Sequence, residues 1–180
     1  MSFIEEMKKR AKTQIRTIVL PEAEDVRVLK ATENVLKEGY AKIILVGNKD
    51  KVEEVARKNN INIKGAKIVD PLTSEKYDEY VNLLYDLRKI KGMTIEQAKE
   101  LVKDPVYFGV LMVKDKNSEA DGLVSGAVHS TSDTIRPALQ ILKTREGIKL
   151  VSAFFVMVVP NCEYGENGIF IFADSGLNEN

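Results

Sequence analysis

Three short apolar stretches, RTIVL at 16–20, AKIILVG at 41–47 and AKIVD at 66–70, are separated by segments of helical periodicity. That alternation constrains the fold more than any other feature of the chain. Each stretch is too short for a helix and rich in branched residues, which predicts a buried strand. Between the first two, Val28, Ala31, Val35 and Leu36 form one helical stripe that Gly39 stops, and NKDKVEEVARKNN after the second reads as a polar helix. Parallel neighbours need a long crossover, and a helix supplies it. The expectation is therefore an α/β fold, a three-layer αβα domain around a mostly parallel sheet.

The flanking segments extend this pattern. Phe3, Ile4, Met7 and Ala11 lie at helical spacing with basic residues between them, predicting an amphipathic helix. Beyond Thr73, SEKYDEYVNLLYDLRKIK reads as a helix up to Gly92, and Thr94 and Gln97 in TIEQAKELVKD have capping-box spacing. The segment from Pro105 is almost continuously apolar, and Gly109 in it would cost a helix about 1 kcal/mol; a buried helix is the reading preferred. GLVSGA and TIRPALQILKT then resume strand and helix. LVSAFFVMVVP and GIFIFAD predict two further strands, joined by the turn NCEYGEN as a hairpin. A hairpin alone is marginally stable. The expected organisation is residues 1–146 as one α/β domain and 147–180 as the beginning of a second, truncated one, with the boundary near 144–149.

Composition narrows the function. The 27 basic and 27 acidic side chains cancel, leaving no overall field for a polyanion, so nucleic acid is not an expected partner. One cysteine, Cys162, and one histidine, His129, exclude an internal disulfide and a CxxC knuckle, and no metal site is expected. The start MSFIEEMKKRAK has no apolar core of a signal peptide, and the longest apolar run, 153–160, is too short to cross a bilayer. A cytoplasmic protein with no membrane partner is the expectation. Neither GxGxxG nor GxxxxGK[ST] occurs, so the two common nucleotide-binding loops are unsupported.

The stretch SGAVHSTSDTIRP, 125–137, stands where a strand should hand over to a helix, the place where open α/β sheets hold ligands. Free N–H groups at a helix start attract an anion, small residues allow close approach, and Arg136 matches phosphate geometry. Two readings stand for its Ser, Thr and Asp residues, a plain helix cap or a phosphate site. Likewise Arg136 is either a surface arginine or an anion ligand, and His129 a general base or a packed structural residue. Pro137 suits the first turn of a helix, so it limits where the helix begins. Cys162, in a turn without an evident histidine partner, is not expected to be a nucleophile.

LPEAEDVRVLKA, LRKIKGMT, DPVYFGVLMVK, ADGLVSGAVHSTSDTIRPALQILKT and FFVMVVPNCEYGENGIFIFADSGLN together resemble the phosphate acetyltransferases (phosphotransacetylases), in order and spacing, over nearly the whole chain. The block 120–144 is the most specific; phosphate butyryltransferases share a looser version. The resemblance implies two α/β domains of an isocitrate/isopropylmalate dehydrogenase-like architecture with the active site between them. It implies reversible acetyl transfer between acetyl phosphate and coenzyme A by direct attack of the thiolate, with coenzyme A as substrate and no cofactor. Ser125, Gly126, Ser130, Thr131 and Arg136 would hold the phosphate or acetyl phosphate, and Arg88 with Arg136 would face the phosphates of coenzyme A. The catalytic residues of the family lie late in longer chains, so the catalytic group here is unknown and the chain reads as an N-terminal fragment, doubtful as an active enzyme alone. A homodimer is the implied assembly. The alternatives are a phosphate butyryltransferase-like acyltransferase and a non-catalytic interaction module that kept the fold.

Overall fold

The computed structural model describes residues 2–148 and 151–173. Lys149, at the end of the expected boundary, and the residues after Ala173 lie outside the described residues. By internal contacts the chain divides into two units, one of residues 6–143 and one of 1–5 with 144–180.

In the larger unit, helix α1 (Phe3–Thr13, its first three residues assigned to the smaller unit) leads into strand β1 (Arg16–Leu20). Then follow α2 (Val26–Glu38), β2 (Ala41–Val46), α3 (Lys49–Lys58), β3 (Lys67–Val69), α4 (Tyr77–Arg88), α5 (Ile95–Val102), α6 (Pro105–Lys114), β4 (Gly122–Leu123) and α7 (Thr131–Ile141). The four strands form one sheet in the order β3-β2-β1-β4, every pair parallel. Alternation along β1 and β2 sends side chains to opposite faces. Val19, Ile44 and Val46 join the core beneath α4, α5, α6 and α7, while Ile43 and Leu45, with Ile18 and Leu20 beside them, join the core beneath α2 and α3. This is the expected three-layer αβα arrangement.

Local chemistry sets the ends of these helices. Asp25 caps α2 by accepting the Arg27 N–H, and Gly39 ends it in the left-handed region at φ 69°. Thr94 and Gln97 make the full capping box of α5. The apolar segment from Pro105 is indeed a buried helix, capped by Asp104. Gly109 is required there because α6 lies so close to the sheet: a Cβ at this position would stand 2.8 Å from Leu123 Cδ1 and 3.0 Å from Val19 Cγ1.

Two local expectations need correction. GLVSGA is strand only at Gly122–Leu123; the Val124 N–H still reaches the Val19 carbonyl, but the following N–H groups turn to a side chain described below. Pro137 does not mark the start of a helix. It lies buried inside α7, which begins six residues earlier, and proline there removes the hydrogen bond that would reach back to the Asp133 carbonyl.

In the smaller unit, β5 (Phe154–Val158) and β6 (Ile169–Ala173) pair antiparallel as the expected hairpin, Phe154 opposite Ala173 and Val158 opposite Ile169.

Candidate functional site

Chain direction reverses its progress across the sheet at β1. From β1 the chain moves to β2 and β3 on one side, and β4 is later added on the other. The carboxyl ends of β1 and β4 therefore flank the switch point at which open α/β sheets hold ligands. Pro21–Arg27 comes from the first strand and Val124–Ser130 from the second.

The crevice between them is occupied by a side chain of the protein. The Glu22 carboxylate accepts the backbone N–H groups of Gly126 and Ala127 on Oε2, both at 2.8 Å, and those of Val128 and His129 on Oε1, at 2.8 and 2.9 Å. His129 Nδ1 lies 2.8 Å from Oε1. The Glu22 side chain is 2 % exposed. Burial raises its pKa, but the N–H groups of Val128, Ala127 and His129 and the imidazole outweigh it and bring it from 4.5 to about 2. An ionised carboxylate only accepts, so Nδ1 carries the proton and Nε2 is the ring atom left to bind or take up another.

This geometry commits the N–H groups of residues 126–129, ahead of the helix start, to Glu22 and not to a substrate anion. The Gly126 N–H is donated to Glu22, and Gly126 contributes its backbone shape instead, at φ 117° where a side chain is strained. Sequence reading passed over Glu22. The available signal was its place, an acid directly after the apolar strand and a proline, where a side chain enters the crevice above the sheet.

Ser130 is the N-cap of α7. Its hydroxyl accepts the Asp133 N–H at 3.2 Å and donates to the Asp133 carboxylate at 2.6 Å, so the cap reading describes what its Oγ does in this structure. Thr131 is exposed at the first position of the helix. Ser125 behaves differently: its Oγ is buried and has no hydrogen-bond partner among the described residues. The same holds for Thr134 Oγ1, one turn into α7, and for Arg88 Nε. Buried polar atoms are rarely left unpaired, so each marks a position with hydrogen-bonding capacity to spare.

Arg88 and Arg136, 48 positions apart in sequence, both act on one group. Burial raises the pKa of the Tyr107 phenol, and the positive charges of Arg136 and Arg88 oppose that, while Asp104 and Asp133 reinforce it. Tyr107 lies in the first turn of α6 and donates to Gln140 Oε1 on α7 at 3.0 Å. The end of α4 and α7 thus place two guanidinium charges within electrostatic range of one phenol at the start of α6. A cleft of about 280 Å³ is lined by Glu22, Glu24 and Asp25 with Pro21, Val46, Pro105 and Val128. Its acids disfavour an anion there.

Elsewhere, a cavity of about 380 Å³ lies by the start of β3 and the end of α6. Its polar groups serve one another: Asp115 accepts from the Asn117 N–H and stands 3.4 Å from the Tyr80 hydroxyl and 3.6 Å from Lys76, and Lys67 pairs with Glu119. Cys162 lies in the hairpin connection, with Sγ 4.0 Å from the Tyr164 carbonyl oxygen. Among the described residues no group of three or more His, Cys, Asp or Glu side chains is arranged to hold a metal ion, and no helix is long and apolar enough to cross a membrane.

Comparison with known proteins agrees with the fold. The family model described as phosphate acetyl/butaryl transferase matches residues 2–180. A phosphate acetyltransferase from Acetivibrio thermocellus is 58 % identical over 180 residues, all of this chain and 53 % of the relative. Another from Thermoanaerobacterium thermosaccharolyticum is 53 % identical over 178 residues, covering 99 % of this chain and 53 % of the relative. Among solved structures, the EutD phosphotransacetylase from Staphylococcus aureus matches with a TM-score of 0.84 and 38 % identity, over 98 % of this chain and 51 % of that one. The chain spans about half the length of the curated relatives it matches.

Proposed function

The chain belongs to the phosphate acetyl/butaryl transferase family, and from that premise we propose that it serves the reversible transfer of an acetyl group between acetyl phosphate and coenzyme A. The observation that carries the reading is that Arg88 Nε, Ser125 Oγ and Thr134 Oγ1 are buried without a hydrogen-bond partner among the described residues, with the charges of Arg88 and Arg136 both felt at Tyr107. Both substrates are phosphate-bearing anions, and bringing them together requires their repulsion to be neutralised. In the forward direction the thiolate sulfur forms a bond to the acetyl carbon, the bond from that carbon to the phosphate oxygen breaks, and phosphate leaves with the electron pair.

In this reading Arg136 meets the phosphoryl end of acetyl phosphate, together with the unpartnered Ser125 hydroxyl and the start of α7 at Ser130 and Thr131. Gly126 shapes the loop that carries them. Arg88 and Arg136 face the phosphates of coenzyme A. The group that takes the thiol proton is not assigned. The reading carries with it an N-terminal domain of residues 1–146 followed by the beginning of a second at 147–180, a homodimer, and a cytoplasmic location.

Calorimetric titration with acetyl phosphate and with coenzyme A tests it. Arg136→Ala should weaken binding about tenfold to a hundredfold, corresponding to the ~1.5–3 kcal/mol of a charged hydrogen bond. Unchanged affinity for both ligands would remove Arg136 from the site. Thioester absorbance on mixing the two substrates checks turnover directly.

A further inference from the structure

The turn after β1 grips the loop after β4 along both edges. Glu22 collects four successive N–H groups, Gly126 to His129, and the His129 ring. Arg27, five residues further on, donates from Nη2 to the Ala127 carbonyl at 2.6 Å. Arg27 is itself fixed by Asp25, with Nε 3.0 Å from Oδ1 and Nη2 2.8 Å from Oδ2. A single stretch, Glu22–Arg27, therefore supplies an acceptor for the donors of the loop and a donor for its acceptor.

Successive N–H groups pointing into one concavity form a nest for an anion. Here the anion is built in. We propose that Glu22 is a positioning residue: its carboxylate takes the place of a bound anion in the nest of residues 126–129, and so fixes the loop that carries Ser125 and opens α7 for the phosphoryl substrate. The inference rests on the reading above and sharpens it, because the phosphoryl group of the substrate then binds outside the nest, on hydroxyl and guanidinium groups. Two features show that the loop needs such a hold. Gly126 and Val128 are exposed and Gly126 has positive φ, so the segment has little packing of its own. Its next residues lead directly into the cap of α7 at Ser130.

The test combines hydrogen exchange of residues 126–129 with titration of acetyl phosphate on the whole protein. In the wild type these four amides, although partly in an exposed loop, should exchange at least tenfold more slowly than unprotected amides; exchange at unprotected rates would overturn the proposal without any variant. Glu22→Ala should abolish the protection and weaken acetyl phosphate binding at least tenfold. Added formate, small enough to replace the missing carboxylate, should restore both. Glu22→Gln should not restore them, since its amide N–H₂ faces donors. Protection that returns with formate while affinity does not would show that the loop does not position the substrate, and would overturn the inference. Should Glu22→Ala fail to fold, Arg27→Ala frees only the carbonyl edge and should give a smaller loss of both protection and affinity; no loss of either would count against the grip. Wild-type protein that binds no acetyl phosphate would overturn the functional reading itself. Wild-type binding that Glu22→Ala leaves intact would overturn only this inference.

Discussion

Strands β1 and β2 hold Val19, Ile43, Ile44, Leu45 and Val46 at 4 % exposure or less, whereas β5 and β6 leave Phe154, Phe155, Ile171 and Phe172 more than half exposed. All four strands are apolar, and all are five or six residues long. The difference lies in what the connections bring. Parallel strands are joined by crossover helices that must lie on the faces of the sheet, so β1 and β2 gain cover on one face from α2 and α3, and on the other from α4, α5 and α6 in the crossover from β3 to β4 and from α7. A hairpin is joined by a turn, which covers nothing. Apolar character in a strand records that a face is built for burial; topology decides whether the same stretch of chain provides the cover.

The strongest way to break this comparison is in the covered sheet. Leu45→Ala removes a side chain with no exposure and should cost about 2–5 kcal/mol in urea unfolding. A midpoint that does not move would mean that the face beneath α2 and α3 is not a packed core.

Acid unfolding sharpens the comparison from the side of charge. The Glu22 pKa is 4.5 when unperturbed and about 2 when folded. Between these values the unfolded chain binds the extra proton, so stability rises with pH. The contribution, on the order of 3 kcal/mol, is complete above pH 4.5 and is lost as pH falls towards 2. Glu22→Gln should flatten this part of the pH profile. A profile identical to that of the wild type would show that the buried carboxylate does not contribute it.

The smallest effect is expected in the hairpin. Phe172→Ser, at a position 53 % exposed, should change stability by no more than about 0.5 kcal/mol. A loss approaching that of Leu45→Ala would show that the exposed face is covered in solution.

Much of this architecture was legible in local pattern. The short branched runs became β1, β2 and β3, and Thr94 with Gln97 became a capping box; of the stripe Val28, Ala31, Val35 and Leu36, Ala31 is exposed and the other three flank the buried Leu29 and Thr32 on the inner side of α2. Even Gly109, which argues against a helix by propensity, was read correctly from the apolar run around it. The candidate site was legible only in part. Arg88, Ser125 and Arg136 could be named as candidates from resemblance, but for the loop between Ser125 and Ser130 a helix cap and a phosphate site both stood open, and Glu22 was not singled out. No short-range pattern links Glu22 to donors 104 to 107 positions away.

By itself the sequence determined the elements and the class of fold, because helical and strand periodicities and caps are written within a few neighbouring residues. Only the tertiary structure decided what fills the crevice at the switch point. The strand order β3-β2-β1-β4 sets the last strand of the sheet beside the first, and that neighbourhood, which no local period encodes, is what brings the carboxylate of Glu22 onto the N–H groups of residues 126–129.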